Sequence, residues 1–298
     1  MAQSPAHRFG QIVGEVLEAA VAPVLAAFAE KHGLYFDKQG ERPCRPGKRC
    51  TWLDLNENKH DLDFVLERGG SLDKPGIPAA FIETAWRRYT KHSRNKAQEI
   101  QGAILPLAET YKNARPFVGV VLAGVFTDGA LTQLRSLGFT VLYFSYQSVL
   151  AAFKKYGIDA SSEEDTPDSD LQKKVTAYEK LSNKTRAALA KALLDTQKKA
   201  VEQFIAALEK VVSRQIHRIT VLPLHGTVVK LRTVDDAIRF IEKYTEEGGA
   251  QPIERYEIRV LYNNDDSVAG TFRDKADAIA FLRTYRPVPL DEIKKDTL

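Results

Sequence analysis

The sequence predicts an α/β protein: a mixed sheet flanked by helices, then a helical segment, then a small α+β module. Three observations predict this fold class. Strand-like and helical patterns alternate through the first half of the chain, a helical pattern without strands follows, and two similar strand–strand–helix stretches come last. We therefore divide the chain into residues 1–160, 161–215 and 216–298.

The first region contains the elements of the predicted sheet. Apolar residues at helical spacing predict a helix over residues 8–31, and short apolar runs at 62–66 and 79–82 predict two strands, the second ending in Glu83. Helical spacing returns over residues 97–111. The continuous apolar run at 116–126 is typical of a strand buried on both faces. The remaining elements are a helix at 127–138, a strand at 139–146 and a helix at 147–157.

The second and third regions differ from the first in charge and in pattern. Residues 161–170 are acidic and predict a linker, whereas residues 171–215 are helical and carry ten Lys or Arg against four Asp or Glu. Residues 219–244 and 258–285 each read as strand, turn, strand and helix, so together they predict one antiparallel sheet backed by two helices. We expect this module to serve target recognition or contacts with a partner subunit.

Composition excludes several classes of protein. The 298 residues are 44% hydrophobic with a net charge of +4, which is too small a bias for binding a polyanion except through local clusters. Two cysteines exclude a disulfide scaffold and fit a reducing compartment. The apolar residues 12–28 include two glutamates and a proline, so we expect no membrane span and a cytoplasmic protein. The phosphate-loop pattern is absent, so no nucleotide cofactor is expected.

Two acidic residues stand on the adjacent strand-like runs. If the runs pair as a hairpin, Asp63 and Glu83 come to one edge of the sheet, and Glu15 on the first helix is a third candidate. Carboxylate oxygens suit Mg²⁺, which keeps several waters for substrate oxygens. Cys44 and Cys50 make a poor zinc half-site, because the five residues between them exceed the usual spacing.

A basic stretch follows Glu83 directly. Five cations fall within residues 87–96 without one acid, and hydroxyl and imidazole side chains lie between them. Such groups make most of the hydrogen bonds between proteins and the DNA backbone. The predicted DNA-binding residues are Arg87, Arg88, Lys91, His92, Ser93, Arg94 and Lys96.

Over roughly residues 8–158 this arrangement resembles the PD-(D/E)XK nuclease superfamily, the fold of many restriction and repair endonucleases. The pattern of that family is an Asp, a variable gap, then Asp or Glu, any residue, and Lys. Asp63 matches the first acidic position, Glu83 the second, and Glu15 resembles the helical carboxylate that often completes the family's metal site.

The position of the family's Lys is occupied by Ala85. Three explanations are open: the Lys comes from the following helix, the chain is an inactive relative, or a substitution has removed the Lys. We favour the first, with Lys96 as the first candidate and Lys91 as the second, because the polar surroundings are intact.

The resemblance implies a Mg²⁺-dependent endonuclease that cuts double-stranded DNA, restriction-type and acting against foreign DNA, with Mn²⁺ able to replace Mg²⁺. Cutting both strands with one site per chain implies a homodimer. The main alternative is an inactive DNA-binding or scaffold subunit that keeps the nuclease fold. A nuclease of RNA or single strands ranks third, since few aromatic residues for base stacking accompany the basic stretch.

Overall fold

A mixed sheet flanked by helices forms the centre of the first half of the protein, as the α/β pattern predicts. In the computed structural model, which describes residues 4–89, 93–245 and 255–286, the chain divides into the units Met1–Glu209 and Lys210–Leu298. The elements that begin in the first unit are α1 (Pro5–Lys31), β1 (Leu34–Lys38), β2 (Cys50–Leu53), β3 (Lys59–Leu62), β4 (Phe64–Arg68), β5 (Ile77–Arg87), α2 (Ser93–Thr110), β6 (Phe117–Gly124), α3 (Asp128–Ser136), β7 (Thr140–Ser145), α4 (Tyr146–Lys154), α5 (Asp168–Glu179), α6 (Asn183–Asp195) and α7 (Lys198–Val212).

The central sheet has the strand order β1-β4-β5-β6-β7. The pairs β1–β4 and β4–β5 are antiparallel, whereas β5–β6 and β6–β7 are parallel. The middle strands β5 and β6 are mostly buried, and β6 is entirely apolar, as expected for strands that are covered on both faces. A separate two-stranded hairpin, β2–β3, lies between β1 and β4 in the chain.

Helix α1 is a core helix of the first unit. Ser4 caps its N-terminus, and ten of its residues are buried. Its 27 residues exceed the apolar stretch seen in the sequence, and by length and composition the helix could cross a membrane. Half of its most apolar window is nevertheless buried inside the fold, which is compatible with a core helix of a soluble protein.

The basic helical segment consists of α5, α6 and α7. Ser182 separates α5 from α6, because its side chain accepts a hydrogen bond from the backbone N–H of Thr185 and caps α6. Helices α5 and α6 pack against α1, and α6 also packs against α4. Most of the segment that the sequence sets apart therefore lies within the first unit.

The second unit contains the predicted repeat. Its elements are β8 (Ile216–Pro223), β9 (Val229–Leu231), α8 (Val234–Lys243), β10 (Tyr256–Tyr262), β11 (Ser267–Phe272) and α9 (Lys275–Arg283). The four strands form one antiparallel sheet in the order β11-β10-β8-β9, with the equivalent strands β8 and β10 paired at its centre. Alternate residues of β8 and β10 are buried in one cluster with α8 and α9. The predicted sheet with two helices is confirmed.

Candidate functional site

Asp63 and Glu83 lie side by side on neighbouring strands. Asp63 immediately precedes β4, and Phe64 is opposite Ile82 in β5, which brings Asp63 next to Glu83 and Thr84. The backbone N–H and the hydroxyl of Thr84 each donate to Oδ2 of Asp63 at 2.7 Å. The backbone N–H of Asp63 in turn donates to the Glu83 carboxylate. The predicted juxtaposition of the two carboxylates is therefore present in the fold.

Glu83 lies within β5 rather than at its end. The sequence predicts a strand that stops at Glu83, but β5 continues to Arg87, because every residue from Ala80 to Arg87 pairs with parallel β6. The extension buries Glu83, whose relative exposure is 8%.

The carboxylates of this region repel one another. Burial, together with the negative charges of Asp63 and Glu18, raises the pKa of Glu83 to about 8. The same causes, burial first and then Asp63, raise the pKa of Glu18 to about 7. Carboxyl groups held this close in a partly desolvated site bind either protons or a cation.

Glu18 is the helical carboxylate that reaches these residues. It lines one cavity with Asp63 and Glu83, whereas Glu15, the residue chosen from the sequence, is exposed and forms an ion pair with Arg8 at 2.7 Å. The charge of Glu15 also raises the pKa of Glu18, but it contributes less than burial and the charge of Asp63 do. Both glutamates have apolar neighbours in the sequence, so the choice between them depends on which face of α1 packs towards the sheet.

Lys96 supplies positive charge to Glu83 from helix α2. Its side chain is 21% exposed and lies 3.2 Å from the Glu99 carboxylate, and its charge opposes the rise in the pKa of Glu83. The next residue, Ala97, packs in the same apolar cluster as Ala85. Lys96 therefore lies near Glu83, the carboxylate two residues before the position at which the family has its Lys. The alternative, Lys91, lies outside the described residues.

Ala85 is part of the hydrophobic core. It is 6% exposed and belongs to an apolar cluster with residues of α2 and β6, including Ile100 and Leu122. A β-strand places residues two apart on one face, so Ala85 faces the same side as Glu83. The sheet is packed at this position without a lysine.

The cations of the basic stretch belong to three different segments. Arg87 ends β5 and lies 3.6 Å from Glu99. Arg88, in the segment that follows, donates to the Ser162 hydroxyl at 3.0 Å and lies over the ring of Tyr89. Arg94 is exposed in the first turn of α2. Because β5 continues to Arg87, the first of these cations lies on a strand and not on α2 with Arg94.

Two of the residues predicted to contact DNA, Ser93 and His92, are not cations of the described surface. The side chain of Ser93 is fully buried, so a hydroxyl expected on the surface is out of reach of a bound backbone. His92 lies outside the described residues.

A cavity of about 450 Å³ adjoins the carboxylates. Its charged lining residues are Glu18, Lys38, Arg49, Asp61, Asp63 and Glu83. Lys38 and Arg49 come from β1 and from the loop before β2, so no local pattern in the sequence connects them with the carboxylates.

The donor set fits a hard divalent cation. Among the described residues no group of three or more His, Cys, Asp or Glu is arranged to hold a metal ion. Mg²⁺, however, is usually bound through one or two carboxylates, with waters completing its shell. The neighbouring Asp63 and Glu83 meet that need, and a cation there would relieve the repulsion that raises the pKa of Glu83.

The two cysteines do not form a zinc half-site with His60. Cys50 is buried and donates to Asp37 at 3.3 Å, and the burial raises the pKa of its thiol. His60 instead contacts Asp54 at 2.9 Å. These side chains serve local structure.

Comparisons with known proteins show no family. No family model matches the chain, and no curated protein matches it. A solved structure described as "Crystal Structure of Protein of Unknown Function AF1548" aligns with 66% of this chain and 98% of its own, at 13% sequence identity and a TM-score of 0.27. A likeness at that TM-score carries no argument about function.

Proposed function

We propose that the protein is a Mg²⁺-dependent endonuclease of the PD-(D/E)XK type that hydrolyses phosphodiester bonds of double-stranded DNA. One observation supports this above the others: Asp63 and Glu83 are neighbours, the backbone N–H of Asp63 donates to the Glu83 carboxylate, and the charge of Lys96 acts on Glu83. Two carboxylates and a lysine are the groups that such hydrolysis requires. Restriction of foreign DNA in the cytoplasm, by a homodimer, is the setting we propose.

Asp63 and Glu83 would hold the metal, with Glu18 at the edge of the same cavity. Bound Mg²⁺ would lower the pKa of a water and offset charge on the phosphate, and Mn²⁺ would serve in its place. Thr84 fixes the Asp63 carboxylate by two hydrogen bonds, so this group is oriented before any ligand arrives. Preorganised groups of this kind need no rearrangement during reaction.

Lys96 would orient the attacking water or bind a nonbridging oxygen of the scissile phosphate. Glu99, which contacts both Lys96 and Arg87, holds the two cations near each other on neighbouring elements. Arg87, Arg88 and Arg94 would contact the DNA backbone, in which phosphates carry most of the nonspecific affinity.

A second candidate function is a DNA-binding or scaffold subunit without activity. The burial of Ala85 in a packed apolar cluster favours it, since the core shows no defect where the family has a lysine. This candidate requires that Lys96 plays no part in cleavage.

The test is cleavage of mixed-sequence duplex DNA in Mg²⁺, Mn²⁺ or EDTA by the unmodified protein and by Asp63→Ala, Glu83→Ala and Ala85→Lys. Metal-dependent cleavage that both alanine variants lose supports the proposed function. Cleavage by Ala85→Lys alone identifies a nuclease fold that lacks its lysine. Duplex binding without cleavage by any variant supports the inactive subunit, and cleavage that survives both alanine changes contradicts the proposed site.

A further inference from the structure

An arginine is buried in the irregular segment between β1 and β2. Arg42 is 5% exposed and donates to the carboxylates of Asp37 and Glu67, at 2.8 Å to the former. Its guanidinium also donates to the backbone carbonyls of Ser71 and Lys74. Burying a charge is costly unless it is paired and fully hydrogen-bonded, and here both conditions are met. Residues 39–49 are therefore tied to two strands and to a second loop.

Both ends of this segment are fixed as well. Arg45 bonds to the Asp37 carboxylate and donates to the carbonyls of Lys38 and Gly40 at 3.1 Å. The backbone N–H of Gly40 donates to the carbonyl of Lys48 at 2.7 Å, which closes the loop. A polar loop without regular structure is thus held in one conformation.

The fixed loop carries two cations to the cavity beside the carboxylates. Lys38, at its beginning, and Arg49, at its end, both line that cavity. Lys38 acts electrostatically on Glu18 and opposes the rise in its pKa. Arg49 is 77% exposed and pairs with Asp61 at 2.7 Å, which orients its guanidinium at the surface.

Lys38 and Arg49 offset part of the negative charge that the cavity would present to a polyanion. Four carboxylates line it, and they would repel a phosphodiester at its mouth. Lys38 and Arg49 are the basic residues among the lining residues, and they come from elements other than α2 and β5.

We propose that residues 38–49 form a rigid cationic clamp in which Lys38 and Arg49 bind backbone phosphates of duplex DNA at the cavity that contains Asp63 and Glu83. This inference rests on the proposed function and extends it, since it assigns a second DNA-binding segment away from Arg87, Arg88 and Arg94. The clamp contacts phosphates and not base edges, so it contributes affinity and position without sequence preference.

The test measures the salt dependence of DNA binding in EDTA by fluorescence anisotropy with a labelled mixed-sequence duplex. The double variant Lys38→Gln/Arg49→Gln is compared with Lys48→Gln, which removes a charge from the same loop. Lys48 is a matched control because it is 70% exposed, pairs with Glu41 and does not line the cavity. Thermal melting of each variant verifies the fold.

Each phosphate contact contributes about 0.9 to the slope of log affinity against log salt. We expect the double variant to reduce the magnitude of that slope by about two and to reduce the affinity at about 0.1 M salt by 10- to 100-fold. Lys48→Gln should change neither quantity. A slope that the double variant leaves unchanged, or that Lys48→Gln lowers equally, overturns the clamp and leaves the proposed function standing. If the unmodified protein shows no salt-dependent duplex binding, the clamp and the proposed function both fail.

Discussion

Replacing Glu83 by glutamine removes a buried charge, so we expect the protein to lose the part of the pH dependence of its stability that comes from this carboxyl. A carboxyl whose pKa is raised by folding binds its proton more tightly in the folded chain than in the unfolded one. The free energy of unfolding is therefore highest below the unfolded pKa and falls as the pH rises towards the folded pKa. For Glu83 this interval runs from 4.5 to about 8. At about 1.4 kcal/mol per pH unit, the loss across it reaches about 5 kcal/mol.

Glutamine has nearly the shape of protonated glutamate and cannot ionise. Near pH 5, Glu83→Gln and the unmodified protein should have similar free energies of unfolding, and at pH 8.5 the variant should be more stable by about 3–5 kcal/mol. Mg²⁺ should reduce that difference at high pH, because a cation bound only by the folded protein stabilises it.

Urea unfolding followed by tryptophan fluorescence measures this effect. Both tryptophans, Trp52 and Trp86, belong to the unit that contains Glu83, so the signal reports on that unit. Glu109→Gln is the control, since it removes a carboxylate that is 64% exposed on α2. The reasoning is refuted if the stability difference between Glu83→Gln and the unmodified protein is the same at every pH, or if Glu109→Gln behaves identically.

Two further predictions concern single cations. Arg42→Met removes the arginine that pairs with the buried Glu67 carboxylate and one of the two arginines that pair with Asp37. It should lower the free energy of unfolding by about 3–5 kcal/mol in the same urea assay, whereas Lys48→Met should change it by less than about 1 kcal/mol; equal effects would show that the Arg42 network contributes nothing specific. Lys96→Met should reduce the rate of DNA cleavage by about 100-fold or more and raise the pKa of Glu83 in an NMR titration, because the charge of Lys96 lowers that pKa. Lys112→Met, at an exposed site beyond α2, should change neither, and a fully active Lys96→Met would show that the lysine of the reaction lies elsewhere.

The order of the elements was predictable because it depends on local periodicity. The alternation of apolar runs identified α1, β4, β6, α3 and the strand–strand–helix repeat, since burial of one face imposes a period on each helix and strand. Thr127, the first residue of the helix predicted at 127–138, caps α3, because its side chain accepts a hydrogen bond from the backbone N–H of Ala130. The juxtaposition of Asp63 and Glu83 followed from the same reasoning, because neighbouring antiparallel strands have a simple register.

Pairing between distant strands could not be predicted. The length of β5 depends on β6, which begins thirty residues after β5 ends, and this pairing places Arg87 at the end of a strand. The choice between Glu15 and Glu18 depends on how α1 is rotated against the sheet, a property of the packed core.

The α/β class, the repeat and the two carboxylates on adjacent strands can be predicted from the sequence, because each of these depends on neighbours in the chain. The residues around the carboxylates depend instead on packing between distant parts of the chain: Glu18, Lys96, Lys38 and Arg49 come from four segments. It also decided the raised pKa of Glu83, since desolvation depends on the atoms that packing brings around a side chain and not on its position in the chain.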